Sequence, residues 1–217
     1  MTDTRSENDL KAAVLDAALK RVPDEGFIDS MLTAAGKDAG VGEEMLLHLF
    51  PQGPLGLVEF FSEQGDAEME RSLAEQNLSA MKIRARISAA VLARIDAIRP
   101  HKEAARRAGA FLTLPLHAAT GMKLLYQTVD AMWRAAGDTS TDFNFYTKRG
   151  ILAGVYSATL LRWFNDSSED ESTTHEFLAA RIENVMQFEK FKAGMRERTK
   201  DMPSFADVLK GFSAPKS

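Results

Sequence analysis

Apolar residues recur every three or four positions along almost the whole chain, and this spacing constrains the fold more than any other feature. From Asp9 to Val22, for example, leucine, alanine and valine form one stripe at helical spacing. The alternation of apolar and polar residues that is typical of strands is nowhere sustained. The sequence therefore predicts an all-α protein.

Glycine and proline divide the chain into helical segments. Pro23 and Gly26 predict the end of the first helix. Two short segments, Ile28 to Ala39 and Glu43 to Phe50, are joined by the turn "AGVG" and predict a helix-turn-helix. Six further helices are predicted at about 55–77, 80–98, 101–113, 116–136, 142–165 and 173–194.

This pattern predicts three parts: a helix-turn-helix head over residues 1–52, a helical bundle over 53–194, and a hinge with a short helix over 195–217. The charged stretch "KAGMRERTKD" indicates the hinge. The last helix carries an apolar stripe at i, i+3, i+4 and i+7, which is typical of a helix lying on a membrane surface. The alternative is that it docks on its own or a neighbouring subunit. The residues of the stripe, which we expect to contact the membrane, are Phe205, Val208, Leu209 and Phe212.

Acidic residues cluster near two predicted helix starts. Thr139 with Asp142, and Thr173 with Glu176, fit the spacing of a capping box. The acids of "NDSSEDEST" lack the glycine and the terminal glutamate of a calcium loop. We therefore expect helix caps and a solvated loop rather than a metal site.

Composition excludes several classes of function. The 217 residues include no cysteine, which excludes disulfides, thiolate metal sites and a cysteine nucleophile. The first residues are polar and acidic, and charges interrupt every long apolar window. From these features we expect a bacterial cytoplasmic protein that touches the inner (plasma) membrane peripherally.

Catalytic motifs are missing from the sequence. The histidines do not form the paired Glu-x-x-His motif of a di-iron bundle or a His-Glu-x-x-His zinc site. A nucleophile elbow, a P-loop and a dinucleotide glycine motif are also absent. We expect a protein without catalytic activity, metal or cofactor, whose histidines are ordinary surface or helix-end residues: His48, His101, His117 and His175.

The first three segments resemble the head of TetR-type repressors, through the turns "DEGF" and "AGV" and the closing "HLFP". Such heads meet DNA phosphates with basic and hydroxyl side chains. Residues 38–70 instead contain no lysine or arginine and eight acids: Asp38, Glu43, Glu44, Glu59, Glu63, Asp66, Glu68 and Glu70. Such a surface repels a phosphate backbone, so we expect the fold without DNA binding. A ligand-responsive TetR-type regulator is the alternative function.

Residues 114–170 closely resemble the lipid-binding accessory protein of coenzyme Q (ubiquinone) biosynthesis. The shared strings are "LP" at 114–115, "MW" at 132–133, "AGD" at 136–138, "STDFN" at 140–144 and "NDSS" at 165–168, with Tyr146 and Arg149. A weaker likeness extends over about 10–192. The resemblance implies a TetR-like fold, an isoprenoid lipid or quinone intermediate held in the bundle, and a di-iron hydroxylase as partner. It also implies a homodimer, which we expect to form through the last two long helices.

An apolar cavity among helices would shelter the tail of such a lipid. Each isoprene unit carries up to about 4 kcal/mol of transfer free energy, so a polyprenyl tail does not leave a bilayer unaided. Pro115 interrupts a helical run and is expected to splay two helices. The alternative for any one candidate is a place in a closed core. The candidate lining residues are Phe111, Leu112, Leu116, Leu125, Val129, Trp133, Val155 and Leu160.

The resemblance also implies a partner-binding patch, at the end of one helix and the start of the next. By motif position its residues are Asp130, Met132, Trp133, Asp142, Phe145, Tyr146 and Arg149. Aromatic rings with an arginine are typical of an interface core. Phe145 departs from the animal relatives, which have tryptophan there, so the partner or its affinity is expected to differ. The alternative is that Trp133 and Tyr146 pack between neighbouring helices.

Overall fold

The helical spacing of the sequence produces a series of α-helices joined by short turns. The computed structural model describes residues 6–139 and 143–200, with backbone alone for 143, 144 and 188–200. Within these ranges there is no strand, which confirms the all-α prediction. The helices are α1 (Glu7–Glu25), α2 (Asp29–Asp38), α3 (Glu43–Leu49), α4 (Pro54–Ala74), α5 (Ile83–Ile98), α6 (Lys102–Leu112), α7 (Ala118–Ala135), α8 (Phe143–Phe164) and α9 (Ser172–Lys200).

α1 begins at a capping box and ends at a glycine. The Asp9 amide donates to Ser6 Oγ over 3.2 Å, and the Ser6 amide donates to Asp9 Oδ2 over 3.0 Å. The helix continues through Pro23 and ends at Gly26, whose φ is 78°. The predicted end of the first helix at Pro23 and Gly26 is therefore confirmed at Gly26, whereas Pro23 lies inside the last turn.

α2 and α3 form the predicted helix-turn-helix. The turn between them places Gly40 at a φ of 69°, and Val41 is buried beneath it. A Cβ at Gly36 would lie 2.7 Å from Leu46 Cδ2, so this glycine allows the two helices to pack closely.

The head and the bundle share one hydrophobic core. Buried residues form a single cluster from Leu10 in α1 to Leu178 in α9. α1 packs on α4 and α6 as well as on α2, and α4 lies against α5 and α7. α7 packs on α8, and α8 on α9. The division of the chain at residue 52 remains a prediction, but the two parts are joined by continuous packing.

The turn before α9 is organised by Asp166. Its carboxylate accepts hydrogen bonds from the amides of Ser168 and Thr174, at 2.9 and 2.8 Å. The prediction that Thr173 caps this helix is wrong, because α9 has already begun at Ser172. Nearby, Glu171 forms ion pairs with Arg99 and Lys102.

Two further expectations concern the ends of α8 and α9. α9 is helical to Lys200, through most of the stretch in which the sequence indicated a hinge, because charged residues are good helix formers and Gly194 alone does not end a helix. Asp142 of the predicted Thr139–Asp142 capping box lies outside the described residues, and so does the whole stripe at residues 205–212.

Candidate functional site

A cavity of about 150 Å³ lies among α4, α5, α6, α7 and α8. It is partly open to solvent and its wall is almost entirely apolar. A volume of this size holds about one benzene-sized group. The wall is formed by Val58, Phe61, Ser62, Arg94, Ile98, Ala105, Ala108, Gly109, Leu112, Gly121, Leu124, Leu125, Thr128, Tyr156, Leu160 and Phe164.

The end of α6 and the start of α7 approach each other closely beside this cavity. A Cβ at Gly121 would lie 3.0 Å from the Leu112 carbonyl oxygen, a tight contact that the glycine avoids. Phe111 stacks on His117 with ring centroids 4.1 Å apart, and His117 Nδ1 lies 3.1 Å from the Phe111 carbonyl oxygen. These contacts fix the shape of the turn that contains Pro115.

The structure brings together some of the predicted lipid-binding residues and separates others. Leu112, Leu125 and Leu160 line the cavity. The other five do not line it. Val129 and Val155 are packed in the core, Trp133 and Phe111 are partly buried against it, and Leu116 is 91% exposed. Leu116 was expected inside a helix, but α7 begins at Ala118 and leaves it in the turn.

A small part of the cavity wall is polar, and the sequence did not predict it. Arg94 Nε donates to Asp66 Oδ1 over 2.6 Å, and Thr128 Oγ1 donates to the same carboxylate over 2.9 Å. Arg94 Nη2 also donates to the Ser62 carbonyl oxygen over 3.3 Å. Arg94 Nη1 is buried and has no hydrogen-bond partner among the residues that the structure describes. One signal was available, since Arg94 follows Ile87 and Val91 at the spacing of the buried face of α5.

Tyr156 completes this polar part of the wall from α8. The residue is buried, and burial raises the pKa of its phenol above the ordinary value because the charged form is poorly solvated there. The neighbouring Arg94 guanidinium opposes that shift. The phenol is therefore neutral at physiological pH.

A second cluster joins the end of α7 to the start of α8 through Arg149. Its Nε donates to Asp130 Oδ1 over 2.6 Å, and its Nη1 donates to Asp138 Oδ2 over 3.2 Å. The guanidinium carbon lies 3.4 Å from the centroid of the Phe145 ring. Asp138 also accepts from Lys148 Nζ over 2.7 Å, and its side chain is only 4% exposed. Asp138 is not among the residues predicted for this site.

The predicted partner-binding residues therefore lie at different depths. Met132 and Arg149 are buried. Trp133 is partly buried and its Nε1 donates to the Lys148 carbonyl oxygen over 3.2 Å. Tyr146 is 68% exposed and meets Phe145 edge to face at a centroid distance of 5.1 Å. Asp142 is outside the described residues.

The described ranges contain neither a metal site nor a membrane-spanning helix. No group of three or more His, Asp or Glu side chains there is arranged to hold a metal ion. No helix in those ranges is both long and apolar enough to cross a membrane.

The head presents acidic and apolar side chains where a repressor presents basic ones. α3 exposes Glu43, Glu44 and Leu47. On α1, Arg21 is engaged by Asp38 and Glu25, with nitrogen to oxygen distances of 2.6 and 3.0 Å. Fold and site together define a TetR-like helical protein that has an acidic head and an apolar cavity in its bundle.

Comparison with solved structures confirms this fold. A TetR transcriptional regulator from Nitrosomonas europaea superposes with a TM-score of 0.69 over 82% of this chain and 99% of its own. Its sequence is 16% identical, so the likeness concerns the fold alone.

Sequence comparison shows which proteins the chain resembles. Residues 118–189 match the COQ9 family model. The Xenopus laevis ubiquinone biosynthesis protein COQ9-B is 36% identical over 85% of this chain and 65% of its own length. The rat and human COQ9 proteins are 33% and 32% identical over 85% of this chain and 61% and 60% of their own lengths. The chain is similar to these COQ9 proteins, and it spans somewhat less than two thirds of their length.

The names of these relatives correct one expectation. All three are named as mitochondrial proteins. This finding overturns the expectation of a cytoplasmic protein at the inner membrane of a bacterium, which rested on the character of the first residues and on the interruption of apolar windows by charge.

Proposed function

We propose that this chain is a non-catalytic lipid-binding protein of ubiquinone biosynthesis. It binds isoprenoid or quinone intermediates and presents them to a membrane-associated hydroxylase of that pathway. The pathway is that of the relatives, which are named ubiquinone biosynthesis proteins. The observation that carries the proposal is the apolar cavity lined by Leu112, Leu125 and Leu160.

The size of the cavity limits how a ligand binds. At about 150 Å³ it takes one ring or one isoprene unit, whereas sites for larger ligands measure roughly 300 Å³ or more. A longer ligand therefore requires α6, α7 and α8 to separate. The remaining predicted residues lie on these helices or in the turn between α6 and α7, and they join the proposed site when that separation occurs: Phe111, Leu116, Val129, Trp133 and Val155.

Lipid extraction tests this proposal. Organic extraction and mass spectrometry of protein purified from its host should recover an isoprenoid or a quinone intermediate. Leu160→Trp fills the cavity and should abolish recovery, whereas Leu47→Trp, at a residue 65% exposed on α3, should preserve it. Recovery that is absent from the unmodified protein, or equal in both variants, contradicts the proposal.

The hydroxylase is proposed to bind the rings of Trp133, Phe145 and Tyr146. Arg149 and Asp130 hold Phe145 in place from beneath, and the buried Met132 supports the same surface. Asp142 belongs to the proposed patch by sequence position. Tyr146→Ala should weaken co-purification with the hydroxylase in detergent by about ten-fold or more, as is typical of an aromatic interface residue. Tyr126→Ala, at another exposed tyrosine, should leave it unchanged.

The proposed homodimer forms through α8 and α9. A Cβ at Gly150 or Gly154 of α8 would meet no atom of the described side chains within 4 Å, which supports the proposal that a second copy packs on this face. Gly154→Arg should convert the dimer to a monomer in sedimentation experiments, and an unchanged mass contradicts this interface.

Membrane contact through Phe205, Val208, Leu209 and Phe212 rests on their spacing alone. Turnover of a quinone precursor by the isolated protein with iron would contradict the absence of catalysis.

A further inference from the structure

The turn between α6 and α7 exposes large apolar side chains. Leu114, Leu116 and Met122 are 49%, 91% and 67% exposed. Tyr126, one helical turn beyond Met122, is also exposed. We call residues 112–122 the hairpin tip. Exposed apolar side chains concentrated in this way mark a surface that meets another apolar phase.

The charges around the hairpin tip complement a lipid surface. Residues 108–122 contain no Asp, Glu, Lys or Arg. Basic residues flank this stretch in the sequence: Arg106 and Arg107 precede it, and Lys123 follows it. Their acidic partners are Glu103 and Glu59, so the rim has three positive and two negative charges. An apolar centre with a cationic rim and a tyrosine fits the acyl chains, headgroups and interface of a bilayer.

The hairpin tip is continuous with the cavity. Leu112 and Gly121, at the two ends of the tip, line the cavity, and Leu125 on the next turn of α7 does so too. A lipid that enters beside the tip therefore meets apolar side chains from the surface to the cavity.

We propose that the hairpin tip inserts into the surface of a lipid bilayer and forms the entry by which lipid reaches the cavity. This inference rests on the proposed lipid-binding function and adds a membrane contact separate from residues 205–212. A bilayer is favoured over a protein because the tip offers a few apolar side chains, whereas a stable protein interface needs about 20–30 residues on each side.

Site-specific labelling tests insertion directly, because the chain has no cysteine of its own. Leu116→Cys carrying a nitrobenzoxadiazole dye is mixed with vesicles of phosphatidylcholine and phosphatidylglycerol. Its emission should shift to the blue and be quenched by lipids that carry spin labels in the acyl chains. Leu47→Cys, labelled in the same way at a residue of α3 that is 65% exposed, should show neither change. The proposal is overturned if the emission of the dye on Leu116→Cys does not change when vesicles are added. It is also overturned if the emission shifts with protein concentration alone, and that result assigns the tip to a contact between copies of the chain.

A transfer experiment separates entry from binding. Geranylgeraniol is offered either from these vesicles or from detergent micelles, and uptake is measured by mass spectrometry. Met122→Asp, at a residue of the tip that is 67% exposed and does not line the cavity, should slow uptake from vesicles by about ten-fold, because a charge opposes insertion of the tip. It should leave uptake from micelles unchanged. Leu47→Asp should change neither rate.

Each other outcome counts against a specific statement. Equal rates of uptake from vesicles for Met122→Asp and the unmodified protein overturn the proposal. Loss of uptake from both sources also overturns it, because the residue then acts on binding or folding. If the unmodified protein takes up no lipid from either source, the proposed function fails, while the dye on Leu116→Cys still decides whether the tip inserts.

Discussion

The guanidinium of Arg94 occupies the space in which any residue but glycine would carry a Cβ at position 65. A Cβ there would lie 2.5 Å from Nη1 and 2.7 Å from Cζ of Arg94. Arg94 has little freedom to move away, since it is buried and bound to Asp66 and Ser62. Gly65→Ala should therefore lower the free energy of unfolding by about 2–4 kcal/mol, through overpacking and disturbance of a buried ion pair.

Urea denaturation checks this value, and the same helix supplies a control. A Cβ at Gly56 would meet its nearest neighbours at 3.8 Å, an ordinary contact distance. Gly56→Ala should leave stability unchanged or raise it by up to ~1 kcal/mol through helix propensity. Equal destabilisation by both substitutions would show that Arg94 moves without cost.

Tyr156 makes the protein sensitive to alkali. Burial raises the pKa of its phenol, so the folded state favours the neutral form. The stabilisation that results is complete below the ordinary tyrosine value of about 10 and is lost as pH rises through the raised folded value. The free energy of unfolding should fall more steeply above pH ~10 in the unmodified protein than in Tyr156→Phe. Tyr126→Phe should keep the steep dependence, and identical slopes for all three proteins would contradict the assignment.

Among the elements, α9 depends on a carboxylate outside its own sequence. Hydrogen bonds from Ser168, Thr173 and Thr174 hold the pKa of Asp166 well below its usual range. The stabilisation is therefore present above the ordinary aspartate value of about 3.9 and is lost as pH falls below it. Asp166→Asn should lower the melting temperature by a few degrees at neutral pH, and its difference from the unmodified protein should shrink in acid. Asp170→Asn, at an exposed acid of the same turn, should melt like the unmodified protein at both pH values.

Helix positions were predictable because the apolar spacing reports which face is buried, and the ends of α2, α5 and α7 fall within about three residues of expectation. The spacing does not distinguish a packed face from a cavity wall. Leu125 and Val129 share one face of α7, yet only Leu125 lines the cavity. The position of Arg94 in the cavity wall was not predicted, because charged residues are rarely buried. The cap of α9 was missed since its hydrogen bonds depend on how the preceding turn folds back.

At the scale of the whole molecule, this chain shares its arrangement of helices with a TetR transcriptional regulator, so the surface charge of the head decides whether it can bind DNA. The described structure places Glu43 and Glu44 in the first turn of α3, where a DNA-reading helix meets phosphates. The one arginine of α1, Arg21, is held by acids. Binding to duplex DNA is driven largely by cations that displace counterions, and this head supplies few.

The chain should therefore show no binding to random-sequence duplex in fluorescence anisotropy, even at low salt, and no operator should be captured with nanomolar affinity. Glu43→Lys combined with Glu44→Lys reverses two exposed charges and should create weak binding, because these positions then face phosphates with cations. Its affinity should fall as salt rises, with a logarithmic slope of about −0.9 for each phosphate neutralised. Tight, steeply salt-dependent binding by the unmodified protein would instead favour a ligand-responsive regulator, in which the cavity controls DNA binding rather than delivery of lipid.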